Sequence, residues 1–276
     1  MLRHVPVMDL PFDGDCAQAN GIDLPVIAIN LALRTDKWRT LTQRLSAVGL
    51  TKLIRAPAIE GARLPASQVD ALLRSPADAT HSGPCSHLTL TPPAIGCFLS
   101  HLAIWRWMLG TGLPRLLVLE DDAMPVAQLS ASRLHRILAE MPDEAGLVLL
   151  GCRVMAGLAE RPQDTELARI YYFNGTHAYL ITSTACTTLL QHLLPLHAHL
   201  DHQISKLLME QRHDFPAYYA APPLFDADWS FGSDLYTPEH TLSDGDAADR
   251  ELDEIIATSR RTLLAEGRPL LSELNR

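Results

Sequence analysis

Residues 92–125, PPAIGCFLSHLAIWRWMLGTGLPRLLVLEDDAMP, decide the fold. The segment predicts a helix, a glycine turn, a buried strand over Arg115–Leu119, and three acids at the strand's end: Glu120, Asp121 and Asp122. A wholly apolar strand is covered on both faces, as in a parallel α/β sheet. In such sheets ligands bind beyond the carboxyl ends of the strands. Three carboxylates gathered there repel one another unless something positive sits among them, and a divalent cation is the simplest candidate. Alternate side chains of an extended segment share a side. Glu120 and Asp122 are therefore expected to share one site, while Asp121 holds a loop or a sugar hydroxyl. Oxygen ligands suit Mg²⁺ or Mn²⁺, and such an ion neutralises charge on a departing diphosphate. Phosphoryl transfer, sugar transfer and hydrolysis all stay open on this chemistry alone.

The helix ahead of the strand reads from Gly96 to Leu109. Cys97, His101, Trp105 and Met108 recur on one side at helical spacing. On periodicity alone His101 is a satisfied core residue before it is a catalyst.

Upstream, Pro25–Leu31 (PVIAINL) predicts a buried strand ending near Asn30. A helix capped at Thr35 or Asp36 runs to Val48, with Trp38, Leu41, Leu45 and Val48 inward and Gly49 closing it. A second strand covers Lys52 to Ala58. This strand–helix–strand order opens a doubly wound sheet. Arg34, directly after the first strand, could meet a diphosphate, whereas Lys37 and Arg39 read as a solvated first helical turn. Glu60-Gly61 is a turn, followed by a short helix over Ser67–Leu73 and a Pro/Ser/Thr/His-rich loop over 78–91.

Downstream, Ser130 or Ser132 starts a helix to Glu140, and Leu147–Leu150 predicts a strand stopped by Gly151. After a polar excursion, Ile170–Phe173 reads as an edge strand, Asn174-Gly175 as a turn and His177–Thr182 as a strand. Ser183 or Thr184 caps a helix ended by Pro195, and Asp201 begins another. Residues 218–236 concentrate the aromatics. Residues 226–254 hold ten acids and one base, Arg250, as a solvated segment. Ile255–Leu274 predicts a last amphipathic helix.

The whole chain has 276 residues, 47% of them hydrophobic, a formal charge of −9 and a sequence pI near 5.7. That supports one large α/β domain and argues against a duplex nucleic-acid binder, which needs a basic face. The five cysteines show no C-x-x-C pair and fit reduced thiols in a cytosolic compartment. No run of 18 apolar residues occurs, so no membrane-spanning helix is expected. The first two dozen residues are too broken by Pro6, Asp9 and Asp13 for a signal peptide.

Several motifs occur in a telling order: V-I-A-I-N-L-x-x-R-x-D, A-I-E-G, G-C-F-L-S-H-x-x-x-W, L-V-L-E-D-D, G-T-H-A-Y-L-I-T and a downstream Asp. From Val26 to Asp234 the chain resembles glycosyltransferase family 25, the lipopolysaccharide and lipooligosaccharide β-galactosyltransferases and their collagen-modifying relatives. The resemblance implies a GT-A-like fold with a Rossmann-type, mostly parallel sheet flanked by helices. It divides the chain into an irregular leader (1–24), a glycosyltransferase domain (25–236), and an acidic segment with a C-terminal helix (237–276). It implies inverting transfer of a hexose, galactose in most of the family, from a UDP-sugar donor to a glycan or glycolipid acceptor, with Mn²⁺ or Mg²⁺. Nucleic acid is not an expected partner. A glycolipid acceptor would bring this cytoplasmic protein into peripheral contact with the inner face of a membrane.

Residue by residue, the resemblance puts Asn30 and Arg34 near the nucleotide and gives Gly96, Ser100 and His101 the floor of the donor pocket. It assigns Asp122 to the metal, with Glu120 beside it, and Asp121 to the donor sugar. Gly175, Thr176 and Tyr179 line the acceptor side. Asp201, at a helix start beyond the acceptor strand, is the expected base, with Asp121, Asp226 and Asp228 in reserve. A nucleotide-sugar hydrolase and a catalytically silent binding protein of the same fold are the alternatives.

Overall fold

The computed structural model describes residues 3, 5–11, 24–73, 90–154, 159–160, 165–210 and 216–235, with 257, 261 and 265. β1 (Val26–Asn30) leads through α1 (Thr35–Ala47) to β2 (Ile54–Pro57), a 3-10 turn (Gly61–Arg63) and α2 (Ala66–Leu72). Then come α3 (Pro92–Thr111), β3 (Arg115–Glu120), β4 (Ala123–Pro125) and α4 (Ala131–Glu140). β5 (Leu147–Val154), β6 (Ala159–Glu160), β7 (Leu167–Ile170) and β8 (Phe173–Thr182) follow. α5 (Ser183–His192), α6 (Leu200–Glu210), β9 (Ala217–Ala220), β10 (Phe225–Ala227) and a 3-10 turn (Trp229–Phe231) complete the described elements.

Eight strands form one sheet in the order β2-β1-β3-β8-β5-β9-β7-β6. β8 and β7 run against the other six, as the parallel and antiparallel pairings require. The architecture is the expected one, an α/β, GT-A-like fold with a mostly parallel sheet between helices. A separate two-stranded ribbon joins β4 to β10.

Side chains of the central strands alternate between two cores. Ile27, Ile29, Leu116, Val118, Leu149 and Ile181 face one side, against α3, α5 and α6. Val26, Ala28, Leu117, Leu119, Val148 and Leu180 face the other, against α1 and α4. This two-sided burial is why β3 is apolar throughout. α3 is apolar around most of its circumference and is buried accordingly.

Several elements differ from expectation. α3 starts at Pro92, four residues before Gly96, because Thr91 caps it, accepting from Ala94 N at 3.2 Å, and Pro92 takes the first helical position. β5 runs through Gly151 to Val154. Gly151 leaves room for a neighbour: a Cβ there would lie 2.6 Å from the His177 ring. Asn174-Gly175 lies inside β8, where the register against β5 slips between the pairs Gly151–Ala178 and Arg153–Asn174. The expected edge strand at Ile170–Phe173 is divided, since β7 ends at Ile170 and β8 begins at Phe173. The cap of α5 is Thr182, not Ser183. Val5 and Leu10, in the leader, are buried in the core.

The loop expected at 78–91 lies outside the described residues except for Leu90 and Thr91, and so does the acidic segment after 235. Of the expected C-terminal helix, Ala257, Arg261 and Ala265 are described and are helical. No helix among the described residues is long and apolar enough to cross a membrane.

Candidate functional site

β1 and β3 end side by side, with Ile29 opposite Glu120. That register brings Asn30 against the acid turn. Asn30 is buried, and its Nδ2 donates to Asp121 Oδ2 at 2.7 Å and to the Arg34 carbonyl at 3.0 Å. Its Oδ1 accepts from the Arg55 guanidinium on β2, with Nε at 3.0 Å. A guanidinium only donates, so the orientation of the amide follows. One side chain thus links the ends of three neighbouring strands.

Lys37 corrects the sequence reading. It is not solvated but 2% exposed. Its Nζ lies 3.3 Å from Asp121 Oδ1 and 2.5 Å from Asp234 Oδ2. Burial pulls the ammonium pKa down, but Asp234 and Asp121 more than offset this, and the pKa is raised. Arg34 pairs with Asp36 at 3.0 Å and also reaches Asp234. The signal for Lys37 was present in the helical spacing: Lys37, Leu41 and Leu45 recur every four residues and are the buried residues of α1. Arg39 is exposed, as expected.

The three acids have separate surroundings, because Asp121 and Asp122 form a turn and strand alternation stops at Glu120. Asp121 has both oxygens engaged, by Asn30 and Lys37. Burial still pushes its pKa up, against Lys37 and Asn30. Asp122 is different. Its Oδ1 is buried with no hydrogen-bond partner among the described residues. Burial, and then the charges of Glu120 and Asp121 against that of Lys37, push its carboxyl up to about 7. Its backbone carbonyl accepts from Asp228 N at 2.8 Å. Asp228 is held in turn by Arg44, at 2.5 Å, and by Ser230.

Glu120 accepts from Thr176 Oγ1 at 2.6 Å on Oε1, and His101 Nε2 lies 3.6 Å from the same oxygen. Burial pushes the Glu120 carboxyl up, but His101 and Thr176 together hold it below its ordinary value. Behind it, His101 Nδ1 is 2.7 Å from Tyr179 Oη, which also accepts from Trp105 Nε1 at 3.1 Å. All three of these side chains are 1% exposed or less. Tyr179 therefore sits in the core behind Glu120, away from any surface an acceptor could reach.

The remaining sequence candidates hold the frame. A Cβ on Gly96 would fall 2.3 Å from the Ile59 carbonyl, and one on Gly61 would fall 1.6 Å from the Pro92 carbonyl. Both glycines permit α3 to cross the 58–61 turn in direct backbone contact. Ser100 Oγ pins the crossing, accepting from Ile59 N at 2.9 Å and donating to the Gly96 carbonyl at 2.7 Å. Gly175, at φ +89°, donates its N–H to Asp201 Oδ2 at 2.7 Å, while Asp201 Oδ1 accepts from His202 N at 2.9 Å. Two N–H donors engage both oxygens of Asp201 and set it to hold β8 in its irregular path.

An orphaned, buried carboxylate oxygen is what a cation would relieve, so Asp122 fits a divalent ion. Glu120 retains Oε2 for the same purpose. Asp121 is occupied.

An α/β sheet of this order, with carboxylates and two buried or half-buried cations at the end of its central strand, has the architecture of a GT-A-like glycosyltransferase. The sequence narrows this further. Residues 25–204 match "Glycosyltransferase family 25 (LPS biosynthesis protein)", and the chain belongs to that family. Procollagen galactosyltransferase 1 of Danio rerio is 28% identical over 275 residues, covering 86% of this chain and 44% of that protein. "Inactive glycosyltransferase 25 family member 3" of Homo sapiens is 31% identical over 119 residues, covering 43% of this chain and 20% of its own length. The chain spans less than half the length of these curated relatives. Mouse xyloside xylosyltransferase 1, in its apo form, superposes with a TM-score of 0.38 at 12% identity, covering 70% of this chain and 83% of that one.

Proposed function

We propose that this chain is an inverting glycosyltransferase that moves galactose from a UDP-sugar to a hydroxyl of a glycan or glycolipid, using Mn²⁺ or Mg²⁺. The observation that carries the reading is the buried, unpartnered Oδ1 of Asp122 at the end of β3, beside Glu120. Galactose is suggested by the Danio rerio relative, a procollagen galactosyltransferase. A role in lipopolysaccharide or other cell-surface polysaccharide synthesis is suggested by the family description. A lipid-linked acceptor places the protein in the cytoplasm at the inner face of a membrane.

Asp122 and Glu120 Oε2 would hold the ion, which when bound neutralises charge on the departing diphosphate. Arg34 and Lys37 supply cations for the phosphates next to the acid turn. Asp121, fixed by Asn30 and Lys37, faces the donor sugar with its orientation already set. Trp229, 63% exposed, stands directly after Asp228, whose N–H bonds the Asp122 carbonyl. Its ring offers the acceptor sugar an apolar face, and the guanidinium of Arg153 lies 5.2 Å from the ring centroid. Holding both substrates in one geometry supplies much of the acceleration.

A UDP-sugar panel with and without Mn²⁺, followed by an acceptor glycan screen and controlled with Asp122→Ala, tests this. Mn²⁺-dependent, acceptor-dependent transfer is the expected result. Release of free sugar at full rate without acceptor would identify a hydrolase. UDP-sugar binding that ignores Mn²⁺ and yields no product would identify a silent member, as the human relative's name says of that protein.

A further inference from the structure

Trp105, Tyr179, His101, Glu120 and Thr176 form one buried line of polar groups, and its proton positions can be worked out. Indole Nε1 can only donate, so Tyr179 Oη accepts from Trp105 at 3.1 Å. The hydroxyl's own proton then needs an acceptor, and His101 Nδ1 stands at 2.7 Å. If Nδ1 carried the proton instead, Tyr179 Oη would accept twice and keep a fully buried O–H with nothing to receive it, an unfavourable arrangement. Nδ1 therefore accepts, and the proton of the neutral ring lies on Nε2. That nitrogen faces Glu120 Oε1 at 3.6 Å. Thr176 donates to the same oxygen at 2.6 Å.

We propose that Tyr179, itself receiving the Trp105 N–H, holds His101 in its Nε2–H form, turning that N–H toward Glu120 Oε1 at 3.6 Å beside the Thr176 donor and leaving Oε2 as the oxygen presented to ligand. Trp105, Tyr179 and His101 are positioning residues in this arrangement. They touch neither substrate nor ion. They set which edge of one carboxylate is available and hold it against rotation.

The same tautomer decides a competing reading. Cys97 Sγ, a His101 ring nitrogen and a Glu120 oxygen lie within 4.8 Å of one another, which resembles a zinc ligand set. A ring nitrogen that carries the proton has no lone pair for a metal, and moving that proton to Nδ1 strands the Tyr179 hydroxyl. In this tautomer His101 Nε2 has no lone pair to offer a metal beside Cys97 and Glu120.

The proposal rests on the transferase reading only for its effect on turnover. The tautomer is observable without activity, so failure of one is distinguishable from failure of the other. Long-range ¹H–¹⁵N correlation on the ¹⁵N-histidine-labelled full chain reads which nitrogen of His101 is protonated, with His101→Gln assigning the signal among the twelve histidines. The expected result is Nε2–H, unmoved by equimolar Zn²⁺. An Nδ1–H signal, or a zinc-induced shift of His101, overturns the proposal. Tyr179→Phe should populate both tautomers and lower kcat about tenfold or more with the donor KM unchanged. Trp105→Phe leaves the Tyr179 hydroxyl its one acceptor, His101 Nδ1, and should keep a pure Nε2–H signal, so it serves if Tyr179→Phe does not fold. A pure Nε2–H signal in Tyr179→Phe, or mixed tautomers in Trp105→Phe, overturns the lock. His101→Gln, which can still donate to Glu120, should retain at least ten times the activity of His101→Phe, and equal losses in the two count against the donor role.

Discussion

The two sides of the acid turn are built from different interactions. On the β1–α1 side, Asn30, Arg34, Lys37, Asp121 and Asp234 form a charged network in which Asp234 serves two cations and Lys37 two carboxylates. On the α3–β8 side, Thr176 donates to Glu120, and His101, held by hydrogen bonds through Tyr179 to Trp105, stands 3.6 Å behind it. Charge attraction has little directional demand, so partners on the first side can be exchanged when a new anion arrives. Neutral hydrogen bonds weaken steeply with angle, so the second side holds one orientation. A diphosphate needs exchangeable cations, and a carboxylate that must face one way needs a rigid backing. Asp122 belongs to neither side, and among the described residues it alone of the three acids has a buried oxygen without a partner.

The largest effect expected is at Asp122. Asp122→Ala should lower sugar transfer by two orders of magnitude or more. The melting temperature should move the other way in the absence of divalent ions, because a buried, unpartnered carboxylate destabilises the fold. Mn²⁺ should raise the melting temperature of the wild type but not of the variant. A variant that melts lower than the wild type in chelator would show that Asp122 is already satisfied.

Next comes Lys37→Met, which leaves Asp121 and Asp234 facing each other without their shared ammonium. Breaking a buried pair of this kind costs about 3 kcal/mol, readable as a shift in denaturant midpoint. Asp234→Asn should cost about 1 kcal/mol, since Lys37 keeps Asp121. It should also tighten UDP binding several-fold by calorimetry, because Asp234 competes with the diphosphate for Arg34 and Lys37. Weaker UDP binding in Asp234→Asn would mean that the charged side is a fixed scaffold after all.

Asp201→Asn tests whether that carboxylate holds β8 or moves protons. A holding role predicts a loss of about 1 kcal/mol from one weakened N–H bond, with turnover within about tenfold. A drop of several orders of magnitude at unchanged stability would restore it as the base.

The smallest effect is a pH dependence at Asp228. Its carboxyl is lowered to about 2, first by the Ser230 hydrogen bond and then by Arg44, against burial. A depressed carboxylate contributes stability that is present above its unfolded pKa and lost as pH falls through the folded one. Wild-type stability should therefore decline between about pH 4 and pH 2, and Asp228→Asn should flatten that decline. An unchanged slope would place the acid sensitivity elsewhere.

Much of the frame was legible because it rests on local rules. The apolar β3 with its terminal acids, the α1 stripe and the Gly112-terminated α3 all follow from periodicity and caps. What escaped depends on contacts distant in sequence. Lys37 and Asp234 are 197 residues apart, and although helical spacing puts Lys37 on the buried face of α1, nothing local names the carboxylates that pair with it. Tyr179 reads as part of a strand motif, but which face it takes follows from the bulged pairing of β8 with β5. Gly61, Gly96 and Ser100 were legible as a motif and not as a purpose. Their role is a backbone crossing that appears only once α3 lies over the turn after β2.

The β4–β10 ribbon has a consequence for the order in which the molecule is assembled. Pro125 pairs with Phe225, one hundred positions later, and the Asp228 N–H closes onto the Asp122 carbonyl just beyond the last pair. A chain emerging from the ribosome can lay down β1, β2 and β3 early, but the turn that carries Asp122 stays unclamped until residues 225–228 arrive. Assembly of the acid turn is therefore a late event in synthesis, and a fragment ending before residue 225 would keep the acids of β3 without the clamp that holds them in place.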